Sequence, residues 1–118
     1  MNTFGISNKS YQLLLNALEK YPQVEEVILF GSRAKGNYRN GSDIDLAIKG
    51  SQCNELVAMN IKGYLNEELP IPYFVDVVFY DGLNDSELKE HIDRIGQLFY
   101  TLKANKLDSQ NKLGYVTN

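Results

Sequence analysis

Val24-Glu25-Glu26-Val27-Ile28-Leu29-Phe30-Gly31-Ser32-Arg33-Ala34-Lys35-Gly36, followed after a short gap by Gly41-Ser42-Asp43-Ile44-Asp45-Leu46-Ala47-Ile48-Lys49, is the stretch on which the fold turns. Val24 to Phe30 is rich in β-branched and large apolar residues, so it reads as a strand that stops abruptly at Gly31. From Gly31 to Gly41, three glycines and several polar or basic side chains predict a loop that bares backbone N–H groups. The chain then alternates, with Ile44, Leu46 and Ile48 on one face and Asp43, Asp45 and Ala47 on the other. That pattern predicts a second strand with an acidic face.

Working outward, Ser7 or Asn8 caps a first helix in which Tyr11, Leu14, Leu15 and Leu18 recur at helical spacing before Pro22 stops it. Asn54 to Leu69 reads as a second helix, with Leu56, Met59, Ile61 and Leu65 towards the core and Pro70 and Pro72 ending it. Tyr73 to Tyr80 is a third strand; Val75, Val77 and Phe79 take one face, and Phe74, Asp76, Val78 and Tyr80 the other. Asp85 or Ser86 caps a third helix carrying Leu88, Ile92 and Ile95, Gly96 suits its stop, and Gln97 to Thr101 is a short last strand. Residues 1–103 are therefore expected to form one domain of the α/β (α+β) class. Residues 104–118 read as a polar tail with thinly spaced Leu107, Leu113, Tyr115 and Val116, able to dock on another surface.

Bulk composition narrows the function. The 118 residues, 43% of them hydrophobic, support a single core. A net charge of −3 gives no global attraction to a polyanion, which argues against general nucleic-acid binding. Cys53 is the lone cysteine, excluding an intrachain disulfide and a Cys-rich zinc site and agreeing with a reducing compartment. The first residues lack the basic-then-apolar pattern of export signals, and no apolar run approaches the roughly 20 residues of a spanning helix. The expected location is cytoplasmic, with no membrane association.

The chemistry centres on carboxylates. Asp43 and Asp45 lie two apart on a strand and project to the same face, with Cα atoms roughly 6.5–7 Å apart. An isolated pair of this kind is ordinarily two solvated charges. Here a third, Asp76, interrupts an otherwise apolar strand, and on a neighbouring strand it comes within reach of the same metal. Oxygen donors alone suit Mg²⁺, with Mn²⁺ as an alternative, whereas zinc asks for His or Cys. Two ions about 3.5–4 Å apart are the arrangement that clamps attacking and leaving oxygens in phosphoryl transfer. His91, the sole histidine, sits on a polar helix and is expected away from this site. The glycine loop supplies the opposite pole: Gly31 leaves phosphate oxygens free to approach backbone amides and the Ser32 hydroxyl, and Arg33, Lys35 and Arg39 add positive charge. Gly36 is followed by Asn37 and Tyr38, so this is not a Walker loop, and no G-x-G-x-x-G occurs.

Phe30-Gly31-Ser32-Arg33-Ala34-Lys35-Gly36, then Gly41-Ser42-Asp43-Ile44-Asp45-Leu46, then Val75-Asp76-Val77-Val78 resembles the minimal nucleotidyltransferases of the DNA polymerase β superfamily. The pattern there is G-S-x-A-[RK]-G, then S-D-[IL]-D-L, then a V-D-[LV] strand. The resemblance implies a small nucleotidyltransferase fold, a mixed sheet of three to four strands flanked by helices. It assigns nucleotide binding to Gly31 and Ser32, with Arg33, Lys35 and Ser42 in the same motifs. Metal binding falls to Asp43 and Asp45, and the activating carboxylate to Asp76. It further implies transfer of a nucleoside monophosphate, AMP from ATP being expected, to a hydroxyl, as in antitoxins that modify a tyrosine of a helical HEPN partner in a homo- or hetero-oligomer. Two alternatives keep the fold: a non-catalytic nucleotide-binding antitoxin that neutralises its partner by contact, and an antibiotic-modifying enzyme. The second is disfavoured because the helical C-terminal domain of the larger enzymes is missing.

Overall fold

The computed structural model describes residues 2–102; the tail expected at 104–118 lies outside them. The elements run α1 (Asn8–Leu18), β1 (Glu26–Phe30), α2 (Gly31–Lys35), β2 (Ile44–Lys49), α3 (Glu55–Glu67), β3 (Val75–Phe79), a 3₁₀ turn (Tyr80–Gly82), α4 (Ser86–Ile95) and β4 (Gln97–Thr101). The strands form one mixed sheet in the order β3-β2-β1-β4. β1 pairs antiparallel with both β2 and β4, whereas β2 and β3 run parallel, which is why the whole of α3 is needed to carry the chain from one to the other. The chain therefore builds the expected class, and the mixed sheet expected to have three to four strands has four.

Helix starts follow side-chain chemistry. Ser7 accepts from the Ser10 amide at α1, Asn54 from Val57 at α3, and Asp85 from Glu87 and Leu88 at α4, each satisfying a donor that the first turn leaves without a partner. The main core lies on one sheet face, where Val27, Leu29, Ile44, Leu46, Ile48, Val75 and Val77 meet Leu14 and Leu18 of α1 and Ile61 and Leu65 of α3. On the other face a smaller cluster packs α4 through Ile92 against Phe30 and Ala47.

Three expectations are corrected. Gly31 to Gly41 is not loop throughout, because its first five residues wind into α2, which ends at Gly36 in the left-handed region (φ 89°); Ser32, Arg33, Ala34 and Lys35 tolerate a helix once Gly31, at φ 75°, has turned the chain out of β1. Leu56 and Met59 of α3 point outward, 63% and 67% exposed, while Ala58 takes the core position beside Ile61 and Leu65. Helical spacing fits either register, and the sheet accepts the small side chain. Finally, Ala47 is fully buried under α4, so β2 has an acidic end and not an acidic face.

Candidate active site

The acidic end of β2 lies where three chain segments meet. Phe30, the last residue of β1, is paired with Asp45, and Asp45 is paired in turn with Asp76 across the parallel β2–β3 ladder. The two carboxylates thus leave the same sheet face from adjacent strands, about 5 Å apart at their backbones. Asp43 stands exposed just before β2. Gly31 folds so closely over Asp45 that a Cβ there would fall on the Asp45 Oδ2. Partial burial, then the charge of Asp76 and then that of Asp43, push the Asp45 carboxyl above its usual range. Crowded like charges of this kind are what a bound cation relieves.

Asp76 is held from behind. Its Oδ1 accepts from the Val77 amide (3.0 Å) and pairs with the Lys62 ammonium of α3 (3.1 Å), so both contacts fall on one oxygen and Oδ2 is left open. The donor set is all carboxylate and fits a hard divalent ion such as Mg²⁺. Among the described residues, however, no three His, Cys, Asp or Glu side chains are already gathered into a metal-holding group.

The phosphate-side residues separate into two groups. Ser32 is half-buried on α2 and Lys35 exposed at its end. Arg33, expected to meet phosphate, turns inward and is only 2% exposed. Its guanidinium donates to the carbonyls of Phe4 (2.9 Å), Gly5 (3.2 Å) and Ser42 (2.9 and 3.1 Å), and lies 5.0 Å from the ring centroids of both Tyr38 and Tyr73. Five donors in a planar fork suit a site built of three carbonyls and two π faces, so Arg33 is a structural clamp. Ser42 is drawn in likewise: its Oγ accepts from the Arg39 amide (2.8 Å), closing the turn before β2.

His91 is a second correction. It does not lie apart, because its Nε2 accepts from the Gly31 amide (3.2 Å) and its ring meets Phe30 edge-on. The neutral imidazole therefore carries its proton on Nδ1. The signal was present in α4, where His91 falls between Leu88 and Ile95 on the apolar stripe with Ile92. Lys62 and Asn66 were also missed. Asn66 donates to the carbonyls of Lys62 (2.8 Å) and Val75 (2.7 Å) and accepts from the Val75 amide (2.9 Å), which closes part of the outer edge of β3.

A mixed four-strand sheet with helices on both faces, a turn-helix at the end of β1 and acidic residues on the next two strands is the architecture of a small nucleotidyltransferase domain. Residues 12–105 match the family model described as polymerase beta, nucleotidyltransferase. The chain belongs to that family. No curated protein matches it. Among solved structures it is similar to a chain of a toxin–antitoxin crystal structure with AMP-PNP (21% identity, 91% of this chain and 85% of that one, TM-score 0.61). A chain of the toxin–antitoxin structure MntA-HepT is similar too (17%, 90% and 82%, TM-score 0.60). So is a chain from the complex of tri-AMPylated Shewanella oneidensis HEPN toxin with MNT antitoxin (20%, 87% and 83%, TM-score 0.53). Among the described residues no helix is long and apolar enough to cross a membrane.

Proposed function

We propose that this chain is a metal-dependent nucleotidyltransferase that transfers a nucleoside monophosphate, AMP from ATP, to a tyrosine hydroxyl of a helical HEPN-type partner. The observation that carries the reading is the register pair Asp45–Asp76 set directly beside the Gly31 turn. Asp43, Asp45 and Asp76 would hold Mg²⁺, which supplies charge neutralisation along the triphosphate and at the departing pyrophosphate. Gly31, Ser32 and Lys35 form the phosphate side. The acceptor oxygen attacks the α-phosphorus, the bond from that phosphorus to the oxygen bridging to the β-phosphate breaks, and pyrophosphate leaves. Asp76, through Oδ2, orients the hydroxyl and takes its proton.

One further fact favours a protein acceptor: the solved structures this chain resembles include a complex whose HEPN toxin is AMPylated. The test incubates the purified partner with this protein, Mg²⁺ and each ribonucleoside triphosphate in turn, then reads the partner's intact mass. One or more added nucleoside monophosphates, absent with Asp43→Ala or Asp45→Ala, is the expected result. An unmodified partner whose toxicity is nevertheless neutralised would overturn the reading in favour of a binding subunit.

A further inference from the structure

Large apolar side chains are exposed at four positions among the described residues, and three of them, Leu56, Met59 and Phe74, belong to α3 or to the residue preceding β3. Leu56, Met59 and Lys62 follow one another at intervals of three along α3, forming one ridge. Met59 lines a groove with Val77, Val78 and Phe79 of β3, and Lys62 reaches Asp76. Phe74 is 49% exposed and two residues before Asp76, so strand alternation puts both on one face. A single ammonium ties them together: Lys62 Nζ lies 3.1 Å from Asp76 Oδ1 and 5.6 Å from the centre of the Phe74 ring. The opposite side of the Asp45–Asp76 pair is taken by Gly31, His91 and α2.

We infer that the α3–β3 edge is the acceptor side of the site, and that Phe74 is its specificity-determining residue, receiving the aromatic ring of an acceptor tyrosine. The inference rests on the transfer reading above and goes beyond it by naming where the acceptor lies. Phe74 and Asp76 are about 6.5–7 Å apart along the strand. Aromatic pairs are favourable at centroid separations of 4.5–7 Å, so a phenol stacked on Phe74 brings its oxygen to the free Oδ2 of Asp76. A serine or threonine hydroxyl reaching the same oxygen leaves the ring uncovered. Strand addition is not the docking mode, because Asn66 already occupies both outward backbone groups of Val75. The incoming segment instead lies across Met59, Lys62 and Phe74 through its side chains.

Two measurements test this on the full chain. Steady-state transfer to the partner protein, with Mn²⁺ and ATP, is compared for wild type, Phe74→Ala and Phe74→Tyr, alongside calorimetric binding of a non-hydrolysable ATP analogue. Phe74→Ala should raise the KM for the partner roughly threefold to tenfold, with kcat and nucleotide affinity unchanged, and Phe74→Tyr should restore it. Second, a photoreactive benzoylphenylalanine replaces Phe74 in one preparation and Leu98, the exposed apolar residue of the opposite sheet edge, in another. The partner should cross-link at position 74 and not at 98. An unchanged KM in Phe74→Ala, or absence of cross-linking at 74, overturns the inference. Cross-linking from position 74 in the benzoylphenylalanine preparation, together with a wild type that transfers no nucleotide, leaves the docking edge standing and removes the transfer reading.

Discussion

Replacing Arg33 separates a phosphate contact from a structural clamp. Arg33→Ala removes four hydrogen bonds from a charged donor to the Phe4, Gly5 and Ser42 carbonyls, together with two cation–π contacts. Hydrogen bonds to charged groups are worth about 1.5–3 kcal/mol each and are not additive when they share one donor. Removing the cation also removes the cost of keeping it out of water. The net loss is about 3–4 kcal/mol, which in a domain of this size lowers Tm by roughly 12–16 °C. Arg33→Lys, whose point charge cannot span the same three carbonyls, should lose about half as much. Thermal unfolding followed by circular dichroism, without nucleotide, is the assay. A variant that melts within about 3 °C of wild type yet loses ATP affinity would refute the clamp and return Arg33 to the phosphate.

Asp45→Asn should stabilise the metal-free chain at pH 7 by about 0.5 kcal/mol, the scale of a partly screened like-charge contact. Because the Asp45 carboxyl is held above its usual range, its favourable contribution is present below the ordinary carboxylate pKa and lost as pH rises through the raised value. The variant's advantage should therefore vanish in acid, and an Asn variant less stable at pH 7 would contradict the crowding argument. Gly31→Ala combines a left-handed backbone penalty of about 1–2 kcal/mol with a methyl group aimed at Asp45; calorimetry should show Mg²⁺–ATP affinity falling at least roughly tenfold, and unchanged binding removes the turn from the site. For Asn66→Ala, leaving buried Val75 without its edge partners should cost about 2 kcal/mol in urea unfolding, and a cost near zero would mean that water replaces the amide. In His91, the sole histidine, long-range ¹⁵N spectra should report Nε2 as the nitrogen without a proton, and a proton on Nε2 would rule out the Gly31 contact.

Much of this architecture was legible because period-two and helical patterns record which face meets the core. Every strand and long helix sits where hydrophobic spacing puts it, and the alternation around Asp45 and Asp76 already places them on one side of their strands. What was not legible depends on contacts between distant segments. Arg33 looks like any loop cation until Phe4, Tyr38 and Tyr73 close around it. His91 shares the apolar stripe of α4, but its partner, the Gly31 amide, is set only by the packing of α4 against Phe30. In α3, Leu56 and Ala58 compete for the core, and hydrophobicity alone favours the wrong one.

The parallel pairing of β2 with β3 also orders events in time. A growing polypeptide emerges with Asp43 and Asp45 long before Asp76, and the two acidic strands cannot register until the whole of α3 has followed and packed beneath them. Such long-range pairing is slow because loop closure precedes any reward from contact. Until then β2 carries unneighboured carboxylates and the Gly31 turn lacks the imidazole of α4. The Asp45–Asp76 pair and the Gly31–His91 contact both wait on chain that follows β2.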